Sequence, residues 1–169
     1  MSEREPWLDE PDLDSFYVAE YLCVALREPM SGHWCGYVGV GAKSPFYELP
    51  VEALEGKIVC HGELNYAARL VQFTGWFFGF HCGHGLDYSP RYADSLERAG
   101  APPGLVDAVR KIYEKRDGPF PREYRDLNYV RANCCAIVAQ LMDLCDDAQT
   151  AERLAIERAR LYTSRKDGH

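Results

Sequence analysis

Two kinds of apolar pattern divide the chain. Up to about residue 80 the apolar positions come in short runs rich in aromatic and β-branched residues, and beyond residue 90 they recur every three or four positions. Phe16–Leu26 (FYVAEYLCVAL) is such a run and reads as one strand. Pro29, Ser31 and Gly32 punctuate a turn, and Trp34–Val40 (WCGYVGV) reads as a second strand closing a hairpin. Ile58–Tyr66 (IVCHGELNY) gives a third strand and Val71–Phe80 (VQFTGWFFGF) a fourth, placed in the interior of the sheet by its aromatics. Helices are expected over Pro90–Ala99, ended by Gly100, and over Pro103–Arg116. The clearest periodicity lies in Asp126–Cys145, where Leu127, Val130, Cys134, Ile137, Leu141 and Leu144 make one buried face behind Asp126 as N-cap. A last helix follows over Ala148–Leu161. Strands first and helices afterwards predict an α+β fold. An antiparallel sheet of about four strands comes from the N-terminal half, packed by three or four helices from the C-terminal half.

Length and charge refine this picture. The 169 residues suit one domain, 15–169, preceded by an acidic, poorly ordered arm, 1–14, which Trp7 and Leu8 are able to pin. Net charge is −7, and residues 1–15 carry six acids against Arg4, so the rest of the chain is nearly neutral. Without a cluster of Lys and Arg, long nucleic acids are excluded as partners, whereas two or three arginines suffice for a small anion. No apolar run is long enough for a membrane span and no secretory segment is visible. Seven cysteines without a Cys-x-x-Cys motif read as free thiols in a cytoplasmic setting.

Candidate chemistry concentrates after the fourth strand, at His81, Cys82, His84 and Asp87, with Gly83 and Gly85 around His84. If Tyr66 faces Thr74 in a hairpin, His61 falls opposite Gly79 and diagonal to His81, and imidazoles from two strands line one pocket floor. His61, His81, His84 and Asp87 are then candidate ligands for a divalent, zinc-type metal, though no cofactor is required. His61, Cys82, His84 and Asp87 are the candidates for acid–base or nucleophilic chemistry. Each has a plain structural alternative: Cys82 as a packed thiol, Asp87 and Asp126 as helix caps. Tyr37, Tyr47 and Trp76 are candidates to stack a planar base, and Arg125 to meet a phosphate. P-loop, dinucleotide, Gly-x-Ser-x-Gly and His-Glu-x-x-His signatures are missing.

Four motifs, Gly36–Val40 (GYVGV), His61-Gly62 with Leu64 and Tyr66, Trp76–His84 (WFFGFHCGH) and Tyr124–Val130 (YRDLNYV), resemble a group of small uncharacterised proteins from tailed bacteriophages and prophages. The resemblance spans roughly 34–145 and departs at His81, where such proteins carry an acid, and at Glu63, where they carry glycine. It implies an accessory protein acting in the host-cell cytoplasm, of the kind that counters host defence by sequestering a nucleotide signal. On that expectation His61, His84, Asp87, Tyr37, Tyr47, Trp76, Arg125 and Asp126 form a ligand site between the sheet and the Asp126 helix, in a chain able to form a homodimer. Two alternatives stand beside it: a metal- or His-dependent hydrolase or phosphodiesterase degrading such a ligand, and a protein–protein inhibitor of a host factor.

Overall fold

A computed structural model of the chain describes residues 5–114 and 121–166. Five strands form one antiparallel sheet: β1 (Leu13–Val18), β2 (Tyr21–Arg27), β3 (Trp34–Val40), β4 (Tyr66–Ala68) and β5 (Trp76–His81), in the order β1-β2-β3-β5-β4. Four helices follow: α1 (Tyr92–Arg98), α2 (Pro103–Glu114), α3 (Leu127–Asp146) and α4 (Ala148–Lys166). The fold is α+β, with one strand more than the sequence suggested. No helix among the described residues is long and apolar enough to cross a membrane.

The extra strand comes from Phe16–Leu26, which is a hairpin rather than one strand. Val18 pairs with Tyr21 across a two-residue turn in which Ala19 takes a left-handed φ of 51°. Such turns normally announce themselves by Asn-Gly or Asp-Gly, and Ala-Glu gives no such signal. The β2–β3 hairpin forms as expected, with Arg27 opposite Trp34.

The two faces of the sheet differ. Cys23 and Ala25, Trp34 and Val38, and Phe78 and Phe80 point one way and are sealed by the Val130–Cys134–Ile137–Leu141 stripe of α3. Asp126 caps α3, its side chain accepting from Tyr129 N at 2.7 Å. On the opposite face lie Tyr17, Val24, Tyr37, Phe77, His81 and Tyr66. The glycines of β3 and β5 sit directly across from rings. A Cβ on Gly36 would lie 2.5 Å from the Phe80 ring, one on Gly39 2.7 Å from Phe77, and one on Gly79 2.4 Å from Tyr37. Each ring therefore lies flat on the opposing backbone, which is why a glycine-rich segment still holds as a strand.

The third expected strand is mostly absent. Only Tyr66–Ala68 pairs, and Tyr66 faces Gly79 rather than Thr74, so His61 lies outside the ladder. Residues 59–61 bond instead to side chains of α3. Gln140 accepts from Val59 N at 2.7 Å and donates to Val59 O at 2.8 Å, and Asn133 accepts from His61 N at 2.9 Å. Gly62, at φ 65°, then turns the chain out of extended geometry. The first half of the expected fourth strand is also non-strand, since pairing on β5 begins at Trp76.

Residues 5–14, expected as a poorly ordered arm, are bound to the body, and Leu13 and Asp14 already belong to β1. The Trp7 ring lies 4.9 Å from Tyr88 and 5.0 Å from Tyr124, whereas Leu8 stays exposed. Glu10 is the anchor. Its Oε2 accepts from Arg27 Nη2 (2.9 Å), Trp34 Nε1 (3.1 Å) and Tyr124 Oη (2.5 Å), and its Oε1 accepts from Leu127 N (2.8 Å). Burial alone would raise the Glu10 carboxyl, but these four donors outweigh it and hold it below its ordinary value.

Candidate functional site

The chain leaves β5 through Cys82, whose N–H donates to Trp34 O, and enters a tight turn closed by Asp87 N donating to His84 O at 2.9 Å. Backbone bonds from Tyr88 N to Glu123 O and from Glu123 N to Leu86 O fasten this turn to the segment leading into α3. The 59–61 segment arrives from the other side, held by α3. Three stretches far apart in sequence thus meet at one carboxylate.

That carboxylate is Asp87, whose side chain is only 2% exposed. Its Oδ2 accepts from His61 Nε2 (2.7 Å), His84 N (3.0 Å) and His84 Nδ1 (3.2 Å), and its Oδ1 from Arg125 Nε (3.1 Å). Burial pushes the Asp87 carboxyl up, but the His61, His84 and Arg125 hydrogen bonds more than reverse this and lower it. Asp87 is therefore a carboxylate at neutral pH. The remaining His61 nitrogen, Nδ1, lies 2.9 Å from Tyr129 Oη. Arg125 is clamped as well, its Nη1 2.6 Å from Glu123 Oε2 and its guanidinium 4.8 Å above the Tyr129 ring.

His84 is the exposed member, with 42% of its side chain open to solvent. It sits against Gly62, where a Cβ would come within 2.5 Å of its Cε1 and 2.6 Å of its Nε2. No hydrogen bond among the described residues uses His84 Nε2. The ligand atoms of His61, His84 and Asp87 all lie within 4.8 Å of one another, so this trio can hold a metal ion. Arg125 on Asp87 and Tyr129 on His61 supply the outer contacts that orient such ligands.

The other expected site residues are placed differently. His81 is beside the trio but not in it: its ring stacks on His84 at 4.4 Å and 16°, and its Nδ1 accepts from Gly83 N. Cys82 is buried, and burial first, then the Asp87 charge, pushes its thiol far above the usual range, so it is a packed thiol and not a nucleophile. Asp126 is engaged as the N-cap. Arg125 meets Asp87 and Glu123 rather than an open cavity. Trp76 is at the far end of β5 from His81, roughly 17 Å away at about 3.3 Å per residue, and its Nε1 donates to Leu49 O. Tyr47 accepts from Arg69 Nη2, also away from the trio. Tyr37 is on the face of the sheet opposite α3, its ring 5.1 Å from Tyr66 and nearly perpendicular to it.

Several participants carried no signal of their own in the sequence. His33 lies 5.7 Å from His81, with Nδ1 2.6 Å from Ser31 Oγ. Only the β3–β5 register, Cys35 opposite His81, brings it there. Burial and the neighbouring His81 lower the pKa of His33, and burial and His84 lower that of His81, so both are neutral at neutral pH. Tyr129 and Glu123 flank expected residues and become visible only with α3 in place. No family model, curated protein or solved structure matches the chain.

Proposed function

We propose that the protein binds a divalent, zinc-type cation through His61 Nε2, His84 Nδ1 and Asp87 Oδ2, and through the solvent side of that cation the phosphate of a small ligand. Ligand atoms, one each from positions 61, 84 and 87, converge within 4.8 Å, with His61 Nε2 and His84 Nδ1 lying 2.7 and 3.2 Å from Asp87 Oδ2, and this convergence carries the reading. Two imidazoles and one carboxylate are a zinc-type donor set, and three protein donors leave a coordination position for an oxyanion or water. A metal on Nε2 would leave His61 its Tyr129 contact, with Nδ1–H donating to Oη. Asp87 keeps its Arg125 bond through Oδ1. The exposed edge of His84 makes that side the way in.

Capture of a ligand without turnover is the form we favour. Both His61 nitrogens and both Asp87 oxygens are engaged, Cys82 is sealed, and Arg125 is paired, which supports holding rather than proton transfer. It is also the form in which the bacteriophage-like motifs would act against a host nucleotide signal. The coordination position that three protein donors would leave to water supports a second reading, in which a bound metal would activate that water for hydrolysis.

Calorimetry with Zn²⁺ on chelator-treated protein tests the site. One zinc per chain is expected, with affinity reduced at least about tenfold in His84→Ala, whose exposed ring is not needed for folding. No uptake by the wild type, or equal uptake by the folded variant, refutes it. Incubating the zinc-loaded protein with cyclic and linear nucleotides, then heating it and analysing what is released, separates the two forms. Intact ligand means capture, and cleaved ligand means hydrolysis.

A further inference from the structure

A shallow open groove of about 350 Å³ lies beside the histidines, on the face of the sheet opposite α3. Tyr37 and Tyr66 form one end, and His33 and His81 the other, with Asn65 and Gly83 on the rim. The two tyrosine rings meet at 78°, so a planar ring stacked on one has its edge against the other. Both are fixed: Tyr37 lies flat on Gly79, and Tyr66 Oη donates to Arg69 O at 2.8 Å. Gly83 has the same role under His33, whose ring a Cβ there would meet at 2.9 Å. No Asp, Glu, Lys or Arg lines the groove. Polar groups are nevertheless present. His33 Nε2, His81 Nε2 and the Asn65 side-chain amide enter no hydrogen bond among the described residues. An aromatic corner with a few unengaged donors and acceptors, and no Asp, Glu, Lys or Arg in its lining, selects a planar heterocycle.

The groove and the His61–His84–Asp87 trio share a wall. His81 lines the groove and stacks on His84 of the trio, ring centres 4.4 Å apart. A ring in the groove and a phosphate at His84 are therefore within reach of one ribose. We infer that the Tyr37–Tyr66–His33–His81 groove is the base-binding half of the site and that the ligand is a nucleotide. This rests on the reading of the trio as the phosphate half. Tyr37 and Tyr66 stack the base, and His33, His81 and Asn65 read its edge.

The full-length, zinc-treated protein is titrated with AMP, GMP, CMP, UMP, ribose 5-phosphate, inorganic phosphate, adenosine and uridine. At least one nucleotide is expected to bind about tenfold or more tighter than ribose 5-phosphate. Tyr37→Leu is expected to bring it down to the ribose 5-phosphate level while zinc and inorganic phosphate bind unchanged. Because Tyr37 also packs on Gly79, Asn65→Asp serves as the second variant. Its exposed side chain leaves the fold intact and puts a negative charge in the groove, lowering nucleotide affinity by a similar factor. Nucleotides binding no tighter than ribose 5-phosphate, or unchanged affinity in the folded variants, overturns the inference. Failure of the phosphate half looks different: zinc does not bind, while adenosine or uridine still binds and loses affinity in Tyr37→Leu and Asn65→Asp, which upholds the groove. With zinc absent and neither nucleoside bound, the groove assignment falls too.

Discussion

Glu10→Gln isolates the contact that ties the N-terminal segment to the body. Four donors converge on this carboxylate, which is 15% exposed, and one of them belongs to Arg27, which is 1% exposed. Glutamine keeps one acceptor oxygen and turns an NH₂ toward donors, so at least one of Leu127 N–H and the Arg27–Trp34–Tyr124 set loses its partner. Hydrogen bonds to a charged group contribute about 1.5–3 kcal/mol, and an orphaned buried donor costs about 1–3 kcal/mol. Arg27 retains its Nη1 bond to Gly32 O at 3.0 Å and the Asp12 charge 3.0 Å from its Nε, which makes no hydrogen bond there, and these limit the loss. The expected destabilisation is about 2–4 kcal/mol at pH 7, or about 4–16 °C in Tm for a chain of this size. The pH dependence has a definite sign. The folded pKa of Glu10 lies below its ordinary value of 4.5, so its contribution is complete above that value and is lost as pH falls through the folded one. Wild type and Glu10→Gln must therefore converge in acid. Thermal and urea unfolding by circular dichroism at pH 7, 5, 4 and 3 read this out. A Tm within 2 °C of wild type at pH 7, or a gap that does not narrow toward pH 3, would show that Glu10 is not the anchor.

Four further outcomes follow from the geometry. Asp87→Asn removes the charge facing Arg125 and His61 and is expected to cost about 2–4 kcal/mol in urea unfolding; a loss under about 1 kcal/mol would deny Asp87 its central place. Gly62→Ala combines a left-handed φ with a Cβ driven into the His84 ring, so stability should fall by about 1–2 kcal/mol and zinc affinity at least about tenfold, checked by thermal shift and calorimetry. Gly36→Ala puts a methyl 2.5 Å from Phe80 and 3.0 Å from Val130, at an expected cost of about 1–3 kcal/mol that Phe80→Leu partly restores in a double-mutant cycle; strict additivity would contradict the ring-on-glycine contact. Iodoacetamide labelling of the native protein at pH 8 should modify the exposed Cys135 first and spare the buried Cys82, as read by peptide mass spectrometry.

The helical half was legible because its signals are local. The three- and four-residue spacing of Leu127, Val130, Cys134, Ile137 and Leu141 and the Asp126 cap lie within one element. The strand half was legible only in outline. Ile58–Tyr66 carries strand-like residues, yet its backbone groups are satisfied by Gln140 and Asn133, which sequence spacing does not reveal. His61 reaches Asp87 all the same, by way of α3 rather than the expected ladder. Glu10 read as one more solvated acid, because its partners lie 17, 24, 114 and 117 residues away. His33 carries no signal in the sequence for a related reason: its place beside His81 depends on the β3–β5 register.

The ring-on-glycine contacts between β3 and β5 bear on how this sequence is free to drift. Phe80 with Gly36, Phe77 with Gly39 and Tyr37 with Gly79 each divide one fixed volume unequally between two strands. Neither partner has room to change alone: a larger residue collides, and a smaller ring opens a void. Covariation is therefore expected at these three couples in related chains, with gain of a side chain at the small position matched by shrinkage of its opposite number.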